Sequence, residues 1–301
     1  MQLSILLERV FSAEATPAES LDAWFAAHRD KVRGCAPIDA AILGGAAADR
    51  VAFAFAAGYR AALASMCPEL PETLIPAFCA TEAGGVHPRA IETRLEEGRV
   101  TGHKRFVTFA EQADTLLVVA SIGQDDGGKN RLRLVRVDAR GPGVTLSPLP
   151  ETPFTPEMGH AEVRFESAPV VSTFPGDGYD RYLKPFRTIE DVHVHAALLG
   201  YLLGTAHRAR WPLALRERLA AAIATVRAIA GDDPTRAEVH VALAGCIAEV
   251  RALLEATEAE WARAEPGVRA RWERDRALFR VAEKARTLRL QAAWKKISGA
   301  E

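Results

Sequence analysis

Cysteine is scarce in this chain. The four residues Cys35, Cys67, Cys79 and Cys246 lie far apart, form no CxxC pair and have no histidine cluster at ligand spacing. That excludes a disulfide scaffold and gives no reason to expect a metal site, so the cysteines read as reduced thiols of a cytosolic protein. Charge of one sign is lacking too: 38 Lys and Arg face 39 Asp and Glu, and the isoelectric point is near 6.7. Without a basic excess to track a phosphate backbone, nucleic acid is not an expected partner. Long apolar runs are also absent, the longest lying around residues 196 to 203, far short of the ~18 residues of a membrane span. The opening Met1-Gln2-Leu3-Ser4 lacks the basic region of a signal peptide, and the expected location is cytoplasmic, away from membranes.

What is present is ordinary globular material, 49% hydrophobic and 26% charged, in a chain long enough for two or three packed sub-domains. Helical spacing of apolar residues (Leu21, Trp24, Phe25, then Val51, Phe53, Phe55) predicts an N-terminal helical region over 1–76, broken by Pro68, Pro71 and Pro76. Over 77–174 the pattern becomes short apolar runs separated by turn residues: 105–109, 115–120, 131–137, 143–147 and 161–165. Residues 124–130 read as a hairpin connection, and the spacing predicts a barrel-like antiparallel β-domain. From 175 to 301 helices return, over roughly 187–209, 212–230, 234–263 and 267–296, with Asp233 and Pro234 as the start of the third. The prediction is an α+β fold: N-terminal helices, a middle β-domain and a C-terminal four-helix bundle.

Two motifs carry the functional signal: Phe78-Cys79-Ala80-Thr81-Glu82-Ala83-Gly84-Gly85, and Gly102-His103-Lys104-Arg105-Phe106-Val107-Thr108 before the run Leu116–Ala120. With the segment Ala161–Val170 and the stretch Ile189–Gly200, they resemble the acyl-CoA dehydrogenase family from about Ala40 onward. The resemblance implies FAD between the β-domain and the bundle, and α,β-desaturation of an acyl-CoA or carrier-bound thioester with hydride transfer to the flavin. It implies that Phe78, Ala80 and Thr81 touch the pyrimidine side of the ring, and that Phe106 and Thr108 take the positions of the family's W-x-T pair. It implies a homodimer, a homotetramer or a heteromer with a related dehydrogenase subunit.

Most members place the catalytic base in a loop after the last bundle helix, which finds no match before Glu301. Others hold it on the first bundle helix, ten residues before the glycine matching Gly200, and that position is Glu190. Proton abstraction α to a thioester needs a desolvated carboxylate, which makes Glu190 the candidate base. A carboxylate near a helix start is equally what the helix dipole favours. The family's Gly-Ser-Asp, whose serine meets the flavin pyrophosphate, is replaced by Val86-His87-Pro88. The family's R-x-x-F-G segment is represented by Arg208–Pro212, and the adenine-binding loop by Gln291 and Gly299 alone. The alternative is therefore a non-catalytic or FAD-poor homologue acting as partner subunit or thioester-binding module. A flavin-dependent oxygenase or oxidase is a third reading.

His193 and His195, two apart on a helix, point away from each other and are not expected to share a metal ion. His87 and His103 fall in the loops that would face the flavin. The last helix is expected to show a solvated basic face (Arg276, Arg280, Lys284, Arg286, Arg289, Lys295, Lys296) around a core stripe of Leu278, Val281, Leu288 and Trp294. Trp261, Trp272 and Trp294 would serve the core or a subunit interface.

Overall fold

Pro76 opens a strand rather than merely ending a helix, a position where its missing N–H removes no ladder bond. The computed structural model describes residues 1–299 and divides into two units. One, the β unit, holds Met66–Thr152 and Pro156–Arg187; the other, the helical unit, holds Met1–Ser65, Pro153–Thr155 and the chain from Thr188 on.

The β unit contains β1 (Pro76–Cys79), β2 (Arg94–Glu96), β3 (Arg99–Thr108), β4 (Thr115–Gln124), β5 (Asn130–Asp138), β6 (Val144–Pro148) and β7 (His160–Thr173). Five strands close on themselves in the order β4, β2, β3, β7, β5 and back to β4, with β1 added to β4 and β6 to β7. Closure leaves the ring no free edge. The expected antiparallel pattern holds except at β4, which pairs in parallel with β1 and, at Ser121, with β2. Alternating positions of the strands (Val100, Leu116, Val118, Val135, Val163, Phe165) form one buried cluster. The connection after Gln124 is a tight turn in which Asp125 Oδ1 accepts from the amides of Gly127 (3.0 Å) and Lys129 (2.8 Å).

The helical unit is built from α1 (Leu3–Phe11), α2 (Leu21–His28), α3 (Pro37–Ala47), α4 (Val51–Met66), α5 (Lys184–Arg208, whose first turn counts with the β unit), α6 (Leu213–Ile229), α7 (Ala237–Ala256), the single turn α8 (Glu258–Ala262), α9 (Pro266–Asp275) and α10 (Glu283–Ile297). Helix α3 lies so close to α5 that a Cβ on Gly45 would sit 1.8 Å from the Ala197 carbonyl oxygen. Only glycine permits that approach. Trp261 and Trp272 stack at 4.1 Å, with Tyr201, Trp211 and Phe279 around them, and belong to the core.

Three expectations for this region change. The fourth long helix is two, because a 3-10 segment (Arg276–Arg280) and Ala282 at φ 64 interrupt it. Asp233 shapes a turn, accepting from the Thr235 amide at 2.9 Å, and α7 begins only at Ala237. The expected face holds in part: Arg276, Arg280, Lys284, Lys295 and Lys296 are exposed, but so are Val281, Leu288 and Trp294 of the expected core stripe, while Arg286 and Arg289 turn inward onto Asp191 of α5. A buried carboxylate requires a cation, and the break at Ala282 resets the helical phase that would otherwise have carried the apolar stripe through.

Candidate functional site

The two motifs meet in the β unit. β1 carries Phe78 and Cys79, and the chain then runs through Ala80 and Thr81 beside β3, where the Arg105 amide donates to the Thr81 carbonyl at 2.8 Å. Phe78 is buried and packs edge-on against Phe186, with ring centroids 4.7 Å apart. Ala80 is buried, Thr81 half-buried and Thr108 at the margin of burial. Gly102 is dictated by close approach, since a Cβ there would lie 2.4 Å from Thr93 Oγ1.

Beneath the Thr81 loop lies an ion pair closed to solvent. Lys104 Nζ stands 2.7 Å from Glu82 Oε1, with the two side chains 0% and 6% exposed. Glu82 also accepts from the amides of Glu92 (2.8 Å) and Thr93 (3.1 Å), and Lys104 reaches the Ala80 carbonyl at 3.4 Å. Burial pushes the Glu82 carboxyl up, but Lys104 and the two amides more than reverse this and hold it below its usual range. Burial lowers Lys104, which Glu82 only partly offsets. Glu82 further closes its own loop through paired backbone bonds with Gly85 at 3.0 and 2.9 Å. The loop is therefore held by its own side chain and amides. Sequence reasoning overlooked this pair, although its signal was present: an acid in the first motif and a lysine alternating with the apolar side of a strand in the second.

Next to it, β3 bulges between Lys104 and Val107, and Phe106 takes φ 52 with 60% of its surface exposed. A large aromatic in the left-handed region is an uncommon backbone conformation, and this one is turned to solvent. Arg105 lies over its ring at 5.6 Å and pairs with Glu162, which His103 also contacts at 3.2 Å. Where the motif departs from the family, His87 Nδ1 accepts the Arg89 amide at 3.3 Å. In the neutral ring this leaves Nε2 as the donor, and His87 and Arg89 are both exposed. Asn130 holds this loop through the carbonyls of Pro88 and Ile91. Burial raises the Cys79 thiol to about 12, so it is not a nucleophile.

Glu190 belongs to the helical unit, half-buried in the second turn of α5, whereas Phe78, Ala80, Thr81, Phe106 and Thr108 belong to the β unit. Its neighbour Asp191 is buried, accepting from Arg286 Nε at 2.9 Å and from Arg289. Burial raises its carboxyl and the two guanidiniums bring it below its usual range. His193 and His195 are buried with each Nδ1 on the carbonyl four residues back, and burial lowers both to about 4. Arg208 turns inward, donating to the Ala46 carbonyl at 2.8 Å, and so caps α3.

A family model for the acyl-CoA dehydrogenase middle domain matches residues 77–168. No curated protein matches the chain by sequence. Among solved structures, the chain is similar to an FAD-dependent dehydrogenase (TM-score 0.72, 14% identity, 98% of this chain and 97% of that one). It is similar to PigA with FAD and proline (TM-score 0.66, 13% identity, 98% and 97%). It is also similar to butyryl-CoA dehydrogenase from Megasphaera elsdenii (TM-score 0.61, 13% identity, 97% and 88%). At these identities the likeness is one of fold.

Proposed function

Residues 77–168 are an acyl-CoA dehydrogenase middle domain in a chain with that family's fold, and we propose that the protein is a flavoprotein that desaturates an acyl thioester at its α,β bond. The observation that carries this reading is Phe106, an exposed aromatic at φ 52 held beside the half-buried Thr81 by the Arg105 amide. An exposed aromatic ring beside a half-buried threonine offers a stacking face of the kind an isoalloxazine ring takes. FAD, when bound, would supply the acceptor for the hydride from the β-carbon. Phe78, Ala80 and Thr81 would hold the pyrimidine side of the ring, and Phe106 and Thr108 its cover. His87 Nε2 and the Arg89 guanidinium would offer donors to the phosphates in place of the family's serine.

The base in this reading is Glu190, whose carboxylate takes the α-proton of the thioester. The substrate is a CoA or carrier-bound thioester, and a second copy or a related dehydrogenase chain is the expected partner. The direct test is the absorbance spectrum of the purified protein with added FAD, followed by anaerobic titration with a set of acyl-CoA thioesters. A flavin band that bleaches with one thioester, and persists unbleached in Glu190→Gln, is the expected result. A flavin band that bleaches equally in Glu190→Gln removes Glu190 from the role. No flavin under any condition turns the reading to a non-catalytic partner subunit.

A further inference from the structure

We infer that the helical unit holds a second ligand site, for a small carboxylate bearing a hydroxyl group, in a cavity of about 420 Å³ among α1, α3, α5 and α6. Leu3, Ile38 and Ala224 give it an apolar wall, and His193, Asp39 and Arg227 line its polar side. This site does not depend on the flavin reading.

His193 is 3% exposed and sits at the cavity with one ring nitrogen already committed. Its Nδ1 lies 2.8 Å from the Ile189 carbonyl oxygen. A carbonyl oxygen only accepts, so Nδ1 carries the hydrogen and Nε2 presents a lone pair. Nε2 has no hydrogen-bond partner among the described residues. A ring held neutral by burial keeps this acceptor at physiological pH. An acceptor so placed pairs with a donor, such as a hydroxyl, and not with a second acceptor.

Arg227 supplies the opposite chemistry. Its Nε donates to Asp39 Oδ1 at 2.6 Å and its Nη2 to Asp39 Oδ2 at 3.1 Å and to the Met1 carbonyl. Nη1 is without a partner among the described residues. Asp39, 1% exposed at its side chain, also accepts from the Met1 amino group at 3.1 Å, so its charge is answered and the fork is fixed in direction. The cavity thus joins a cationic donor, a neutral acceptor and an apolar wall, which match a carboxylate, a hydroxyl and a short carbon chain.

The test uses the full chain and 3-hydroxybutyrate as probe, read by the ¹⁵N resonance of His193 Nε2 and by thermal melting. The expected result is a saturable shift of that resonance with a rise in melting temperature, and about tenfold weaker binding of butyrate, which lacks the hydroxyl. Ala224→Phe, which fills the cavity from a half-buried helix position, should abolish the shift, and so should His193→Phe in melting. Absence of any Nε2 shift at millimolar probe overturns the site. Equal affinity for butyrate, or an unchanged response in either variant, also overturns it.

Discussion

Each unit of the molecule buries carboxylates, and the two do so by different means. In the β unit Glu82 comes from a loop and is satisfied by one lysine and two backbone amides. In the helical unit Asp39 and Asp191 come from helices and are satisfied by arginines of other helices, Arg227 from α6 and Arg286 and Arg289 from α10. The first arrangement fixes the shape of a short segment, because the amides of residues 92 and 93 must stay where the carboxylate is. The second fixes how helices lie against one another, because the forked guanidinium spans two backbones. A buried charge therefore specifies what apolar packing leaves free: loop conformation in one case, helix rotation in the other.

Acid should separate the units most strongly. His28, His193 and His195 of the helical unit are each lowered to about 4 by burial, against 6.5 when unfolded. A group with a depressed folded value contributes stability that is complete above 6.5 and is lost as pH falls through 4, about 3 kcal/mol per histidine. In the β unit His160 is lowered by burial too, but it is half-buried. Hydrogen exchange between pH 7 and 4 should show amides of α2 and α5 opening before those of β3 and β4. Simultaneous opening of both sets would break the comparison.

Lys104→Met should be the most damaging single change, leaving Glu82 buried without its cation at about 3–5 kcal/mol. Denaturant titration checks it, and the loss should shrink as pH falls and Glu82 takes up a proton. Asp191→Asn should lose less, about 2–3 kcal/mol, because Arg286 and Arg289 retain some contact with water at 15% and 24% side-chain exposure. The smallest effect is of opposite sign: Phe106→Gly relieves a left-handed backbone and should raise stability by about 1 kcal/mol in thermal melts.

The same contrast explains what the sequence discloses. β3, β4, β5, β6 and β7 were legible because their apolar residues alternate or run together between turn signals, and α5 and α6 because their stripes are long. β1 and β2, at four and three residues, are too short to show a period and exist through pairing, β1 with β4 and β2 mainly with β3. The face of α10 was misread because Leu288 and Trp294 look like core, while the partner that sets the rotation, Asp191, lies 95 residues away from Arg286. At the candidate site the two motifs were legible by resemblance, and both fall inside the stretch that the family model matches. The left-handed turn at Phe106 was not, since no local residue type demands it.

The central claim is that the face formed by Thr81 and Phe106 is built for a flavin ring. Titration of FAD against the intact chain, followed by quenching of flavin fluorescence, tests it directly when Phe106→Ser is run alongside. The account predicts one FAD per chain, bound about tenfold more weakly by the variant through loss of aromatic stacking. Equal affinity in the two proteins, or no quenching in either, would contradict it.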